Sequence, residues 1–172
     1  MEELGDRAAL AQAAFTLYDV GPGSVTPVRS TEYAKFDVRA ESGDRYRLRL
    51  HPPQGRDPIA IRSELLWLAA LHTEAGLVVP EPVATRTGEL SGTVRGENAG
   101  TGRFCVLFRG EEGRSVGEAD LTPETFQRAG AAIGRMHAYA EWWRPPSRFQ
   151  RERLDVGVMG SPRFVVGGLA GG

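Results

Sequence analysis

Residues 45–53 read RYRLRLHPP and residues 61–72 read IRSELLWLAALH. The first stretch alternates charged and apolar side chains with the period of two that a strand requires: Tyr46, Leu48 and Leu50 share one face, and Arg45, Arg47 and Arg49 the other. In the second, Ile61, Leu65, Leu68, Leu71 and His72 share one face of a 3.6-residue helix, and Glu64 falls between Leu68 and Leu71 on that face. A carboxylate there is tolerated in the interior only where a cation and further hydrogen bonds offset its desolvation. The preceding strand offers one, so the pattern points to an Arg49–Glu64 pair. The competing reading places Glu64 at the solvated edge of the stripe and the three arginines on an ordinary exposed sheet face; periodicity leaves both open.

Working outward, residues 6–18 (DRAALAQAAFTLY) predict a helix that GPG at 21–23 stops. The run SVTPVRSTEYAKFDVRAESGDRYRLRL predicts two strand-like runs joined as a hairpin across ESGD, where Gly43 supplies the positive φ of a tight turn. HPPQGRDP breaks the pattern, and a helix over 59–73 follows. VVPEPVATRTGEL reads as extended, because each proline holds its predecessor in a β or polyproline conformation, with a turn at Thr87 and Gly88. After a loop at 95–102, RFCVLF (103–108) is the candidate central strand.

RGEEGRSVGEADL has the composition of a linker. A helix over 124–140 comes next, with Thr122 as its cap and Pro123 in its first turn. Phe126, Ala129, Gly130, Ile133, Met136, His137 and Ala140 line one face of that helix, and its small residues predict close packing against a neighbour. The last sixteen residues contain six glycines and no useful periodicity, which predicts a poorly ordered tail.

Composition narrows the function classes. A chain of 172 residues, 41% hydrophobic and 25% charged, has enough apolar residues for one core or two small lobes. Its net charge of −1 supplies no global field toward nucleic acid or an anionic membrane. The segment RPPSRFQRER (144–153) carries four arginines against Glu152, but with one aromatic, Phe149, it lacks the stacking platform of a single-strand binder. Cys105 is the lone cysteine, so neither an intrachain disulfide nor a thiolate zinc site is available, as suits a reducing cytoplasm. The N-terminus has no signal-peptide pattern and no run reaches 18 apolar residues, so no membrane role is expected. The phosphate-loop, dinucleotide, serine-hydrolase and zinc-protease motifs do not occur.

Taken in order, STEYAKFDV, DRYRLRLHPP, IRSELLWLAAL, VVPEPVATRTGEL, RFCVLFRGEEGRSV and AGAAIGRMHAYAEWWRPPSRF resemble the amino-terminal part of the aminoglycoside phosphotransferase family, which also includes homoserine, choline and fructosamine kinase-like enzymes. The resemblance runs over residues 8–155. It implies an α+β fold: a protein-kinase-like small lobe, an antiparallel sheet with flanking helices, followed by the first helix of a truncated large lobe. The nucleotide-binding lobe would span residues 1–112, the linker and first large-lobe helix 113–155, and the Gly-rich tail 156–172.

ATP is the implied cofactor, with magnesium arriving only with the nucleotide. Kinases pair a cation on the third strand with a glutamate on the next helix, and Arg49 and Glu64 match those positions. Arginine in place of lysine keeps the charge but presents a planar fork. Ser30, Thr31 and Glu32 match the turn over the phosphates, and the backbone of Leu107, Phe108 and Arg109 matches the adenine hinge. The chain departs from the family where an Asn is usual near Tyr33 and where an aromatic residue often replaces Gly110.

No HGD…N catalytic loop occurs: His51, His72 and His137 are followed by Pro-Pro, Thr-Glu and Ala-Tyr. Phosphoryl transfer depends on positioning and charge neutralisation, so the expectation is nucleotide binding without turnover by these residues alone. The expected partners are a nucleotide and either a complementing catalytic half or a second copy. An alternative from another class is a non-catalytic interaction module that binds a partner through the exposed lobe face. A third is a ligand-binding protein unrelated to kinases.

Overall fold

The alternation on either side of ESGD builds the middle of an antiparallel sheet. The computed structural model describes residues 4–28, 33–53, 57–96, 102–110 and 117–151. Strands β1 (Gly23–Val28), β2 (Ala34–Ala40) and β3 (Arg45–Leu50) run as a meander, and β6 (Arg103–Arg109) lies beyond β3. Two short strands, β4 (Pro82–Val83) and β5 (Gly92–Val94), both pair with β6. Gly43 takes φ +94° in the β2–β3 turn, a conformation that glycine adopts without a Cβ penalty.

Periodicity alone merges β1 and β2 into one run, and the structure corrects this. β1 forms the sheet edge and pairs with β2 from Gly23 opposite Ala40 to Val28 opposite Lys35. An edge accepts Pro27, whose missing N–H would break a ladder in the interior.

β6 reads as a continuous apolar run because it is covered on both faces. Cys105 and Leu107 join Phe36, Val38, Leu48 and Leu50 in a core roofed by helix α1 (Leu4–Phe15) through Leu10, Ala11, Ala14 and Phe15. Val106 and Phe108 point the other way, onto Ile61 and Leu65 of helix α2 (Pro58–Thr73). Under α1, the Tyr18 hydroxyl donates to the Cys105 carbonyl at 3.1 Å. Burial pushes the Cys105 thiol up to about 11, and burial together with Cys105 raises Tyr18 further above its ordinary value.

Asp57 and Pro58 start α2: the Asp57 side chain accepts from the Ile59 amide at 3.0 Å. Helix α3 (Pro123–Trp142) begins in the same manner, with Thr122 accepting from the Thr125 amide. It docks beside the far end of α2 through an aromatic group: Tyr139 lies among Trp67, Trp142 and Trp143, and Phe149 sits edge-on to Trp143. The Gln150 amide donates to Ser63 Oγ at 2.8 Å and ties the segment after α3 to α2. The remainder of the α3 apolar face departs from the expectation of close packing. Phe126 is 61% and Ile133 51% exposed, and His137 is also exposed. Among the described residues no neighbour covers that face; the 156–172 segment lies outside them.

Gly110 ends β6 where backbones approach closely. Its amide donates to the Arg45 carbonyl at 2.7 Å, and a Cβ built on it would stand 2.6 Å from that oxygen. Gly110→Ala is therefore expected to push β6 off β3 and cost about 1–3 kcal/mol, as overpacking does. A urea midpoint unchanged from the parent would refute that strain.

Candidate nucleotide site

The face of β2 and β3 turned away from α1 carries the second half of each alternation: Lys35, Asp37 and Arg39 on β2, and Arg45, Arg47 and Arg49 on β3. These side chains, with Glu64 and Leu68 of α2, Pro80, and Phe108, Arg109 and Gly110 at the end of β6, line a cavity of about 700 Å³. Its charge is mostly positive. One cross-strand rung is neutralised, since Arg47 Nε lies 2.7 Å from Asp37 Oδ1.

At the inner end of the cavity, Arg49 Nη1 donates to Glu64 Oε1 at 2.9 Å, with side chains 13% and 16% exposed. Of the two readings that periodicity leaves open, the Arg49–Glu64 pair implied by the resemblance is the one that forms, and Glu64 is not on the solvated edge. The guanidinium is also flanked by rings, its Cζ 5.3 Å from the Tyr33 centroid and 5.1 Å from that of Phe108. Tyr33 in turn meets the buried His51 edge-on at 5.2 Å. A cation between two aromatic faces is held by their quadrupoles and shielded from water. His72, which the helical phase places with the apolar face, is exposed and lies 4.0 Å from Glu81.

Of the other predicted site residues, Leu107, Phe108 and Arg109 lie on β6 beside the cavity. Phe108 contributes its ring, and Arg109 turns its Nε to Glu81 at 3.1 Å. Their backbone lies between β3 and β4, and the Arg109 amide donates to the Glu81 carbonyl at 2.9 Å. Ser30, Thr31 and Glu32 fall outside the described residues. Lys35 is absent from the sequence-derived set, whereas Tyr33 falls in the stretch STEYA (30–34) that the resemblance matches to the turn over the phosphates. The alternation of AKFDVRA puts Lys35 on the same sheet face as Arg49, a signal open to the period-two reading already applied to β3.

The model of the phosphotransferase enzyme family matches residues 24–157. The chain belongs to this family. Two solved structures are similar to this phosphotransferase-family chain. One is a microcompartment-associated aminopropanol kinase, with 31% identity and a TM-score of 0.71 over 86% of this chain and 45% of that one. The other is an amicoumacin kinase in complex with AMP-PNP, Ca2+ and Ami, with 27% identity and a TM-score of 0.74 over 87% of this chain and 44% of that one. The chain thus spans a little under half the length of either kinase. No curated protein matches its sequence. The fold is accordingly the small lobe of a kinase-like phosphotransferase, a six-stranded antiparallel sheet with flanking helices.

The site fits an anionic ligand. It is rich in cations, and Arg49 Nε and Nη2 are buried with no hydrogen-bond partner among the described residues. Among the described residues no group of three or more His, Cys, Asp or Glu side chains could hold a metal ion, and no helix is long and apolar enough to cross a membrane.

Proposed function

We propose that this chain is the ATP-binding portion of a small-molecule phosphotransferase. Residues 1–112 form the nucleotide-binding lobe, and 113–155 the linker and first helix of the second lobe. The cation-lined cavity beside the Arg49–Glu64 pair carries this reading, because a polyphosphate needs fixed positive charge on a rigid wall. Magnesium enters with the nucleotide. The backbone of Leu107, Phe108 and Arg109, at the end of β6 beside the cavity, is the segment that would read adenine. The 172 residues contain no HGD…N sequence to orient an acceptor hydroxyl, so a chain limited to them binds nucleotide without turning it over.

A calorimetric titration of the purified chain with ATP and magnesium tests the proposal. Saturable binding without ATP consumption is the expected result. A folded chain that binds no ATP would instead favour a non-catalytic interaction module. The exposed face of α3, with Phe126 and Ile133, is the observation on the side of that second reading.

A further inference from the structure

Arg45, Arg47 and Arg49 stand at alternate positions of β3 along the cavity, each about 7 Å from the next. Arg49, with Nε and Nη2 buried and without a hydrogen-bond partner among the described residues, marks the anion end. The end of β6 is the other fixed point, and Arg47 pairs there with Phe108, in the middle of Leu107–Arg109. A nucleotide that runs from that backbone to Arg49 must therefore lay its base across Arg47.

A base in that position needs a flat partner, and the cavity has no spare ring to offer. Phe108 is the one aromatic among the described lining residues, and its centroid already lies 5.1 Å from Arg49 Cζ. Arg109 is turned to Glu81, with its Cζ 5.9 Å from the Tyr46 centroid. Arg47 is exposed and is held at its Nε edge, 2.7 Å from Asp37 Oδ1 on the facing strand. An edge fixed by a carboxylate leaves the flat of the guanidinium to a ligand. The same carboxylate offsets the charge that would otherwise draw phosphates onto this rung.

We infer that the Arg47 guanidinium, held in place by Asp37, is the platform on which the base of the nucleotide stacks. The inference rests on the proposed nucleotide binding and assigns the contact at the base end of the same cavity, leaving the phosphates to Arg49. A planar, delocalised guanidinium stacks on an aromatic face, which an ammonium on a flexible stem does not do in the same way. Asp37 is a positioning residue in this arrangement, because it touches Arg47 and not the base.

The test measures binding of adenosine, ATP and inorganic tripolyphosphate by the full chain and by two variants. One is the charge-balanced pair Asp37→Ala with Arg47→Ala, and the other is Arg47→Lys. The charge-balanced variant is expected to lose about three- to thirtyfold in affinity for adenosine and ATP alike, the weight of a cation–π contact, while tripolyphosphate affinity stays within about twofold. Arg47→Lys keeps a cation opposite Asp37 but lacks the plane, so it should recover little of the adenosine affinity. Both changes fall on an exposed rung, where substitutions leave folding nearly intact.

Adenosine should also shield Arg47 from modification by phenylglyoxal, read by peptide mass spectrometry, and tripolyphosphate should not. Adenosine affinity unchanged in both variants, with Arg47 unshielded, would overturn the platform and leave the nucleotide reading standing. A loss confined to ATP and tripolyphosphate would make Arg47 a phosphate contact and overturn it equally. A parent chain that binds none of the three ligands would remove the nucleotide reading and the platform together.

Discussion

Glu64→Ala is expected to lower stability by about 2–3 kcal/mol, somewhat below the roughly 3–5 kcal/mol of a fully enclosed pair. The discount follows from geometry, since the two side chains keep 13% and 16% of their exposure. The loss is not that of the contact alone. Removing the carboxylate strands a guanidinium whose Nε and Nη2 lack hydrogen-bond partners among the described residues and whose Cζ lies over the Tyr33 and Phe108 rings. The charge then sits near the wall of the sheet with little to solvate it, which is the expensive half of breaking such a pair.

Thermal unfolding should shift down by roughly 5–10 °C for a domain of this size. A double substitution, Arg49→Leu with Glu64→Leu, should recover much of the loss, because two apolar side chains of similar reach need no compensation. A loss of stability below about 0.5 kcal/mol for Glu64→Ala would mean that the pair behaves as a surface ion pair.

How far this site could be read from the sequence depends on which residues carry it. Arg49 and Glu64 are separated by fifteen positions, yet each lies in an element whose period is clear, so local pattern offers the pair as one of two readings and the family resemblance selects it. Lys35 carries the same kind of signal in AKFDVRA, but periodicity alone runs that strand into β1 and so does not fix its face. The enclosing of Arg49 was not legible in the same way. Tyr33 stands at the entry of β2 and Phe108 near the end of β6, and no periodicity relates two rings that converge on one guanidinium from different strands. Helix α3 shows the opposite case. Its amphipathic pattern is clear, but pattern reports that a face is apolar and not what covers it; among the described residues Tyr139 alone is buried on α3.

That single anchor makes Tyr139→Ala the other substitution of large effect. The Tyr139 ring lies 5.7 Å from Trp67 and 5.0 Å from Trp142, and its hydroxyl donates to Glu74 Oε2 at 2.6 Å. Truncation removes the aromatic body and the hydrogen bond together, for an expected loss of about 3–4 kcal/mol. The loss should fall on the docking of α3 and not on the sheet, because the aromatic cluster shares no residue with the core under α1. Amide exchange in α3 should therefore accelerate by about two to three orders of magnitude while β6 keeps most of its protection. Equal loss of protection in β6 and α3 would show that the two unfold as one unit.

All three tryptophans, Trp67, Trp142 and Trp143, lie in this cluster, so fluorescence follows the same event. The hydroxyl adds a pH signature. Burial, and then the Glu74 carboxylate it donates to, push Tyr139 up to about 12 from its ordinary 10. A raised pKa means that the folded state holds the proton after the unfolded chain has released it. The stabilisation is therefore complete below about pH 10 and lost as pH rises toward 12. In Tyr139→Phe no phenolate can form against Glu74, so α3 docking should be weaker at neutral pH by one hydrogen bond and should lack the Tyr139 contribution to the decline across that window.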